Sequence, residues 1–169
     1  NIPIIETMGL TETGAQILSN PLPPAERKIG SPGIGFGNEI AIADPDLNLL
    51  GPNVEGEILV RGNNVMKEYL DRPEETQKTI TPDGWLRTGD LGRMDEDGFI
   101  FVTGRIKELI IKGGENIAPR EIDEALLEND AVLEAAAFAR DCEDYGQRVE
   151  ACVRLKDGKT ISEDVLLDF

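Results

Sequence analysis

The sequence contains no histidine, only two cysteines, and few aromatic side chains, which make up 5% of its 169 residues. The absence of histidine excludes histidine-ligated metal sites, Ser-His-Asp triads and imidazole acid–base catalysis within this chain. Cys142 and Cys152 are too few and wrongly spaced for a zinc site or a disulfide framework, so two buried thiols in a reducing, cytoplasmic setting are predicted. No apolar stretch approaches the length of a transmembrane helix, so no membrane span is expected.

Basic residues are also scarce, with 17 against 33 acidic residues and a net charge of −16. This balance excludes a broad phosphate-neutralising face, so no nucleic-acid partner is expected and any anionic ligand must meet a local basic site. The sequence does not indicate an oligomeric state. Asn1 is not an initiator, and residues 163–169 begin an amphipathic helix that stops before two turns are complete, so we expect a piece of a longer polypeptide.

Hydrophobic periodicity and turn residues predict a mixed α/β (α+β) fold. Residues 2–6 indicate a strand that enters a loop at 7–16, and the Pro, Gly and Ser content of 19–37 indicates ordered loop. Residues 38–44 and 55–62 are predicted to form an antiparallel pair of strands. Residues 85–104 are predicted to form two strands joined by a turn at Asp95–Gly98. Short helices are predicted at 64–70 and 73–80.

After residue 105 the pattern changes to an alternation of strands and helices. The predicted elements are a strand at 108–114 with a glycine exit, a helix at 119–130, and strands at 131–140 and 148–156. We therefore expect residues 1–104 to form the end of a large domain with antiparallel β elements. Residues 105–169 would start a small α/β domain.

The stretch "MGLTETG", residues 8–14, places a hydroxyl and a carboxylate side by side on a glycine-flanked loop. Such a loop can lay its backbone and Thr11 against a phosphate while Glu12 offers a hard oxygen ligand to Mg²⁺. Taken alone, the motif is equally compatible with a turn whose Thr and Glu satisfy local amides, and that explanation is the more common one.

The stretch "WLRTGDLG", residues 85–92, contains the single acid Asp90 at the edge of a strand. An ionised carboxylate only accepts hydrogen bonds, so it can hold both hydroxyls of a ribose, although a turn aspartate explains the motif alone slightly better.

Residues 104–120 contain four basic residues against two acidic ones, a positive segment in an acidic chain. A solvated basic face is the simplest explanation of such a run. Arg105 and Lys107 nevertheless fall where the two predicted regions meet.

These three motifs and their order resemble those of the adenylate-forming (AMP-binding) superfamily of acyl-CoA synthetases, adenylation domains and luciferases. The motifs are "MGLTETG", "WLRTGDLG" and "GRIKELIIKGGENIAPREIDE", and the resemblance extends over essentially the whole chain. The run from Glu6 to Gly33 looks most similar to bacterial relatives of the oxalate and peroxisomal-type CoA ligases. The resemblance implies that 1–104 is the C-terminal part of the large AMP-binding domain and 105–169 the hinge and a truncated small domain.

The resemblance also implies a reaction and its cofactors. Family members join a small carboxylic acid to ATP as an acyl-adenylate and then pass the acyl group to a thiol, usually that of coenzyme A. Mg²⁺ and cationic side chains can stabilise the charge of such a reaction without histidine. An acid–CoA ligase of cytoplasmic acyl-CoA or fatty acid metabolism is therefore expected.

The site residues that the resemblance implies fall into three groups. Thr11 would contact the AMP phosphate, and Glu12 would bind Mg²⁺. The nucleotide would further be bordered or held by Glu6, Thr7, Met8, Gly9, Asp90 (ribose) and Arg105. Lys107 stands at the position of a hinge residue between an adenylating and a thioester-forming pose, and CoA would lie along Gly113, Gly114 and Asn116.

Two departures from the family pattern qualify these expectations. Met8 stands where an aromatic residue commonly packs on adenine, although a thioether can still cover a ring face. The chain lacks the upstream phosphate loop ending in lysine and the late lysine that activates the carboxylate, since neither Lys156 nor Lys159 has a matching context. This segment alone is not expected to catalyse adenylation. An adenylation domain that loads a carrier-protein thiol and a non-catalytic nucleotide-binding module are the alternatives.

Overall fold

The computed structural model describes residues 4–167 and 169. The chain divides into two compact units, Asn1–Val102 and Thr103–Phe169. Both units combine antiparallel sheets with short helices, so the predicted mixed fold class is confirmed. The division lies two residues before the predicted boundary after residue 104. Among the described residues, no helix has the length and apolar character needed to cross a bilayer.

The first unit begins with a small antiparallel sheet of order β1-β2-β3. Its strands are β1 (Thr7–Leu10), β2 (Ala15–Ser19) and β3 (Ile34–Gly35). The backbones of β1 and β2 approach so closely at Gly9 that an added Cβ would lie 2.7 Å from the Ala15 carbonyl oxygen. Glycine is therefore required where the β1–β2 register shifts.

A four-stranded sheet of order β4-β5-β6-β7 forms the rest of the first unit. Its elements are β4 (Glu39–Ala43), β5 (Gly56–Arg61), helix α1 (Pro73–Thr79), β6 (Leu86–Met94) and β7 (Ile100–Arg105), the last of which carries the chain into the second unit. The predicted antiparallel pair β4–β5, the helix starting at Pro73 and the hairpin turn ending at Gly98, with φ 84°, are all confirmed.

The core of the first unit lies between these two sheets. Its fully buried apolar side chains come from β2, β4, β5, β6 and β7, and they are Ile17, Leu18, Ile42, Ile58, Val60, Leu86 and Ile100. A smaller cluster places Trp85 against Ala43 and Leu59 on the other face of β4 and β5. The central strand β5 is buried on both faces, which is why its sequence is a continuous apolar run.

The second unit contains a sheet of order β10-β11-β8-β9. Its elements are β8 (Ile110–Lys112), β9 (Glu115–Ile117), helix α2 (Pro119–Leu127), β10 (Val132–Cys142), β11 (Gly146–Leu155) and helix α3 (Glu163–Leu167). The Asp123 carboxylate at α2 accepts a hydrogen bond from the amide of Ala137 on β10, at 2.6 Å. Helix α2 and the long strands β10 and β11 confirm the predicted helix at 119–130 and the predicted strands at 131–140 and 148–156.

Three predictions about local structure were wrong. Residues 4–6 are not in a strand, residues 2 and 3 lie outside the described residues, and 7–10 form β1 instead of a loop. Residues 64–70 form turns and irregular structure instead of a helix, and the Met66 amide donates to the Glu12 carbonyl oxygen instead of to a carbonyl four residues earlier. Neither cysteine is buried: Cys142 is half-buried and Cys152 is exposed, and both are free thiols.

Candidate functional site

Thr11 and Glu12 lie on a single 3₁₀ turn, Thr11–Thr13, that joins β1 to β2. Thr13 holds this turn from inside, because its fully buried hydroxyl accepts a hydrogen bond from the Leu10 amide at 3.3 Å and lies 2.9 Å from the Leu10 carbonyl oxygen. Gly14 closes the turn in the left-handed region, at φ 64°. Thr11 is consequently exposed and Glu12 is half-buried at the tip of a fixed turn.

Tyr69 contacts the carboxylate of Glu12, a long-range contact that no sequence motif indicates. Its hydroxyl donates a hydrogen bond to Glu12 Oε1 at 2.8 Å, and the amide of Met66 donates to the Glu12 carbonyl oxygen at 2.7 Å. Burial and the adjacent Glu12 carboxylate raise the pKa of the Tyr69 phenol above its ordinary value. Tyr69 therefore remains a neutral donor at pH 7 and fixes one oxygen of Glu12.

The residues predicted to border adenine occupy both faces of β1. Thr7 and Gly9 are exposed, whereas Met8 alternates with them and packs against the core cluster. Glu6 is exposed just before the strand, and it lines a pocket of about 460 Å³ whose other polar walls are Asn20, Arg27 and Lys28. The structure thus groups Thr7 and Gly9 on one face, and it turns Met8 toward the interior.

Asp90 lies on an irregular segment of β6 that interrupts its pairing with β5. Glu57 pairs with Leu91 and Leu59 pairs with Arg87, so one residue of β5 faces residues 88–90 of β6. We call residues 88–90 the TGD bulge. Gly89 adopts φ 74° there, a conformation that favours glycine, and Asp90 is only 3% exposed. The sequence predicted the position of Asp90 on a strand but not the bulge.

Glu12 is the one acidic residue of the Thr11–Thr13 turn. Among the residues that the structure describes, no group of three or more His, Cys, Asp or Glu side chains is arranged to hold a metal ion. A single half-buried carboxylate on a turn nevertheless fits Mg²⁺, because this ion is commonly held by one or two protein carboxylates together with substrate phosphates and water. Glu12 is therefore compatible with a Mg²⁺ site that is completed by substrate phosphates and water.

In the second unit, Arg105 and Lys107 are both exposed. Arg105 is the last residue of β7, and Lys107 is the middle residue of a one-turn 3₁₀ helix, Ile106–Glu108, that connects β7 to β8. None of the three residues of this short helix is buried. Lys107 therefore occupies a short connection with few packing constraints.

Gly113 and Gly114 form the two-residue turn of the β8–β9 hairpin. Lys112 pairs with Glu115 across it, and both glycines have positive φ, at 60° and 92°. This geometry belongs to the hairpin turns that require positive φ at both central residues, so the fold alone accounts for the glycine pair. An added Cβ at Gly114 would meet nothing within 4 Å, and Asn116 is exposed two residues later.

Comparison with protein families and relatives agrees with the motifs. The model of the AMP-binding enzyme family matches residues 1–70. The chain is 48% identical to the sulfoacetate–CoA ligase of Cupriavidus necator, with 98% of this chain aligned to 32% of that protein. It is 40% identical to the oxalate–CoA ligase of Saccharomyces cerevisiae, with 100% of this chain aligned to 31% of that protein. The chain thus spans about a third of the length of these relatives.

Solved structures resemble this one over nearly the whole chain. ATP-bound MatB from Rhodopseudomonas palustris superimposes with a TM-score of 0.91 at 36% identity, covering 98% of this chain and 33% of that one. The o-succinylbenzoate CoA synthetase of Bacillus subtilis with its acyl-adenylate intermediate gives a TM-score of 0.83 at 38% identity, covering 98% and 34%. The same synthetase with ATP and a magnesium ion gives 0.81, again at 38% identity with 98% and 34% covered.

Proposed function

We propose that the chain is part of an AMP-binding enzyme, an ATP-dependent acid–CoA ligase, because residues 1–70 match that family and the chain aligns with CoA ligases over nearly its whole length. The full polypeptide would join a carboxylic acid to ATP, releasing pyrophosphate, and then transfer the acyl group from the adenylate to CoA. The observation that carries this proposal is that the first unit contains both a fixed Thr11–Glu12 turn and a buried Asp90 on the TGD bulge. The chain that contains them aligns with a CoA ligase over 98% of its length.

The first unit would bind the nucleotide. Thr11, exposed at the tip of its turn, would donate to the AMP phosphate, and Asp90 would accept hydrogen bonds from the ribose hydroxyls. Glu12 would hold Mg²⁺, which supplies charge neutralisation at the phosphates. Thr7 and Gly9 on the exposed face of β1, with Glu6 before it, would border adenine, whereas the inward packing of Met8 argues for a smaller contribution from that residue.

The second unit would serve the thioester step. Arg105 would contact the same nucleotide, and Lys107 would be the hinge about which the small domain changes pose. The exposed Gly113–Gly114 turn and Asn116 would lie along the pantetheine arm of CoA. Glycine at both positions satisfies the turn and also leaves the backbone open to close approach.

The substrate that we propose is a small carboxylic acid with a second acidic group. The similar proteins act on sulfoacetate, oxalate or succinylbenzoate, which all share this chemistry. A cytoplasmic location is part of the same proposal, because both cysteines are free. Fatty acids belong in the test as the alternative substrate class of acyl-CoA metabolism.

The test uses the complete natural polypeptide that contains this sequence. Its intact mass is expected to be about three times the 18.5 kDa of this chain, since the chain covers 32% of the sulfoacetate ligase. Pyrophosphate release should depend on ATP, Mg²⁺ and an acid from a panel of sulfoacetate, oxalate, 2-succinylbenzoate and fatty acids. Acyl transfer should be faster to CoA than to a carrier protein. A polypeptide that binds ATP but releases no pyrophosphate with any acid would contradict the proposal.

A further inference from the structure

A buried carboxylate, that of Glu57 on β5, has no role in the function proposed so far. Glu57 is 5% exposed and precedes three buried apolar residues, Ile58, Leu59 and Val60. Burying an ionised carboxylate costs several kcal/mol unless hydrogen bonds and an opposite charge compensate for the lost hydration. The partners of Glu57 therefore indicate why an acid is retained at the centre of the sheet.

Both oxygens of Glu57 bond to β6 on the edge of the TGD bulge. Oε2 accepts from the Arg87 guanidinium, at 2.9 Å from Nε and 2.8 Å from its terminal nitrogen, and Oε1 accepts from the Gly89 amide at 3.0 Å. The side chain of Glu57 thus bridges Arg87, the last regularly paired residue before the bulge, and Gly89, the residue at its centre. The Gly89 amide cannot bond to a β5 carbonyl where the ladder is interrupted, so the carboxylate replaces that partner.

Thr88 supplies two further hydrogen bonds of the TGD bulge. Its hydroxyl donates to the Ile58 carbonyl oxygen at 2.7 Å and accepts from the amide of Asp90 at 3.1 Å. Side chains on both strands therefore fix the backbone immediately before and at Asp90. Among these bonds, the Gly89 contact to Glu57 is the one made to a charged and buried acceptor, the strongest class of hydrogen bond in proteins.

We propose that Glu57 is a positioning residue for Asp90: by bonding Gly89 and Arg87 it holds the TGD bulge in the conformation that presents the Asp90 carboxylate to the ribose. This inference rests on the proposed function, because it concerns ATP binding by Asp90. Glu57 touches no substrate itself. Its removal should impair nucleotide binding and leave the affinities for the acid and for CoA unchanged.

The sheet offers a matched control for this pair. Glu39 and Arg61 form a second Glu–Arg ion pair at 2.6 Å, between β4 and β5, but their side chains are 64% and 39% exposed. Exposed pairs of this kind contribute little to stability. Glu39→Gln therefore makes the same chemical change in the same sheet without touching the TGD bulge.

The experiment compares Glu57→Gln, Glu39→Gln, Asp90→Ala and the double variant Glu57→Gln/Asp90→Ala in the complete polypeptide, with the Kd for ATP measured by calorimetry and the KM for each substrate. Glu57→Gln should raise the ATP Kd about tenfold, because it weakens charged hydrogen bonds, and Glu39→Gln should not change it. In the Asp90→Ala background, Glu57→Gln should have no further effect, since a positioning residue acts only through the group that it positions.

Each outcome separates the inference from the proposed function. If Asp90→Ala weakens ATP binding and Glu57→Gln does not, the positioning role is wrong and the proposed function stands. A further loss from Glu57→Gln in the Asp90→Ala background would also overturn it, because Glu57 would then act by another route. If Asp90→Ala itself leaves the ATP Kd unchanged, the ribose role of Asp90 and the positioning role of Glu57 both fail, while acid-dependent pyrophosphate release still decides the proposed function. Should Glu57→Gln not fold, Glu57→Gln/Arg87→Leu, which removes the unpaired cation, replaces it in the same comparison.

Discussion

The two units of the chain hold their candidate residues in opposite ways. The first unit has a core of fully buried aliphatic side chains from five strands, and it carries Asp90 on a buried segment and Glu12 on a turn with an internal anchor. In the part of the second unit that the structure describes, the buried apolar side chains are few, and they are Ile110, Ala118, Ala131 and Val132. Its candidates Lys107, Gly113 and Gly114 are all exposed on connections between elements.

This contrast matches the demands of the two proposed half-reactions. A nucleotide site that stabilises charge must be held rigidly by packing and hydrogen bonds. A hinge must remain free to move, and so must a CoA-binding surface that is completed only in the thioester-forming pose. Segments with few buried contacts are drawn from the less stable parts of a fold. We therefore expect substitutions at Glu12 and Asp90 in the first unit to affect nucleotide binding. Substitutions at Lys107, Gly113 and Gly114 in the second unit should affect only the thioester step.

The largest expected effect is that of Asp90→Ala in the complete polypeptide. Loss of the ribose acceptor should weaken ATP and AMP binding by about 10-fold to 100-fold, the range of a hydrogen-bonded charged group. Titration calorimetry with each nucleotide checks this. Asp46→Ala, an exposed acid in the turn between β4 and β5, is the control and should leave both affinities unchanged. Unchanged AMP affinity in Asp90→Ala would remove the ribose role.

A smaller effect, confined to one half-reaction, is expected for Lys107→Pro. Proline fixes φ near −65°, so the backbone at position 107 of the short 3₁₀ connection could no longer rotate about φ. Acyl-adenylate formation should be preserved while thioester formation falls on the order of tenfold, as measured by pyrophosphate release and by acyl-CoA production. Lys107→Ala removes the charge and keeps the backbone free, so it should retain most of the thioester activity. Equal loss of both half-reactions in Lys107→Pro would contradict a hinge.

Gly114→Leu should raise the KM for CoA several-fold and leave adenylation unchanged. A leucine there would fill the open space beside the turn and would also be strained at φ 92°. Gly158→Leu provides the control, because Gly158 also has positive φ, 75°, and open space around its Cβ position. The strain costs about 1–2 kcal/mol in each variant, so only Gly114→Leu should affect CoA. The same KM in both variants would rule out the CoA role.

The smallest expected effect concerns stability and pH in the first unit. Asp95 is a partly buried acid, and its bonds to Lys28 and to the amides of Phe99 and Asp97 outweigh the effect of burial and lower its pKa below the usual value. A lowered folded-state pKa stabilises the fold above the unfolded pKa of about 3.9 and loses that contribution as pH falls through the folded value.

Asp95→Asn should therefore lower Tm by a few degrees at pH 7. The difference from the original protein should shrink below about pH 4. Thermal unfolding monitored across this pH range checks the sign. A difference that grows on acidification would show that Asp95 does not act through its charge.

Much of the fold could be predicted from the sequence because its signals are local. The alternation in β4, the Pro73 start of α1 and the Asp97-Gly98 turn each encode their structure within a few residues. Strand β1 gave no such signal, since its exposed face consists of Thr7 and Gly9 and its pairing depends on the close approach of β2. Residues 64–70 satisfy helix propensity, but the Met66 amide bonds to the distant Glu12 carbonyl oxygen, a contact that the local sequence does not encode.

The candidate site was predictable as a set of residue types and not as a set of contacts. Thr11, Glu12 and Asp90 were found by their motifs, whereas Tyr69, Thr13 and the TGD bulge depend on bonds between distant segments. Glu57 did leave a signal in the sequence. It is an acid at the start of an apolar run, and an acid buried there must find a charged partner.

Trp85 gives the molecule a built-in reporter. It is the only tryptophan of the sequence, it is 8% exposed, and the guanidinium of Arg61 lies 4.4 Å from its ring centre. Its fluorescence therefore arises entirely from the unit that ends at Val102, next to the strand that carries Asp90. Emission from this indole can follow denaturation of the first unit on its own, while circular dichroism follows the whole chain, so the two units become spectroscopically separable without any added dye.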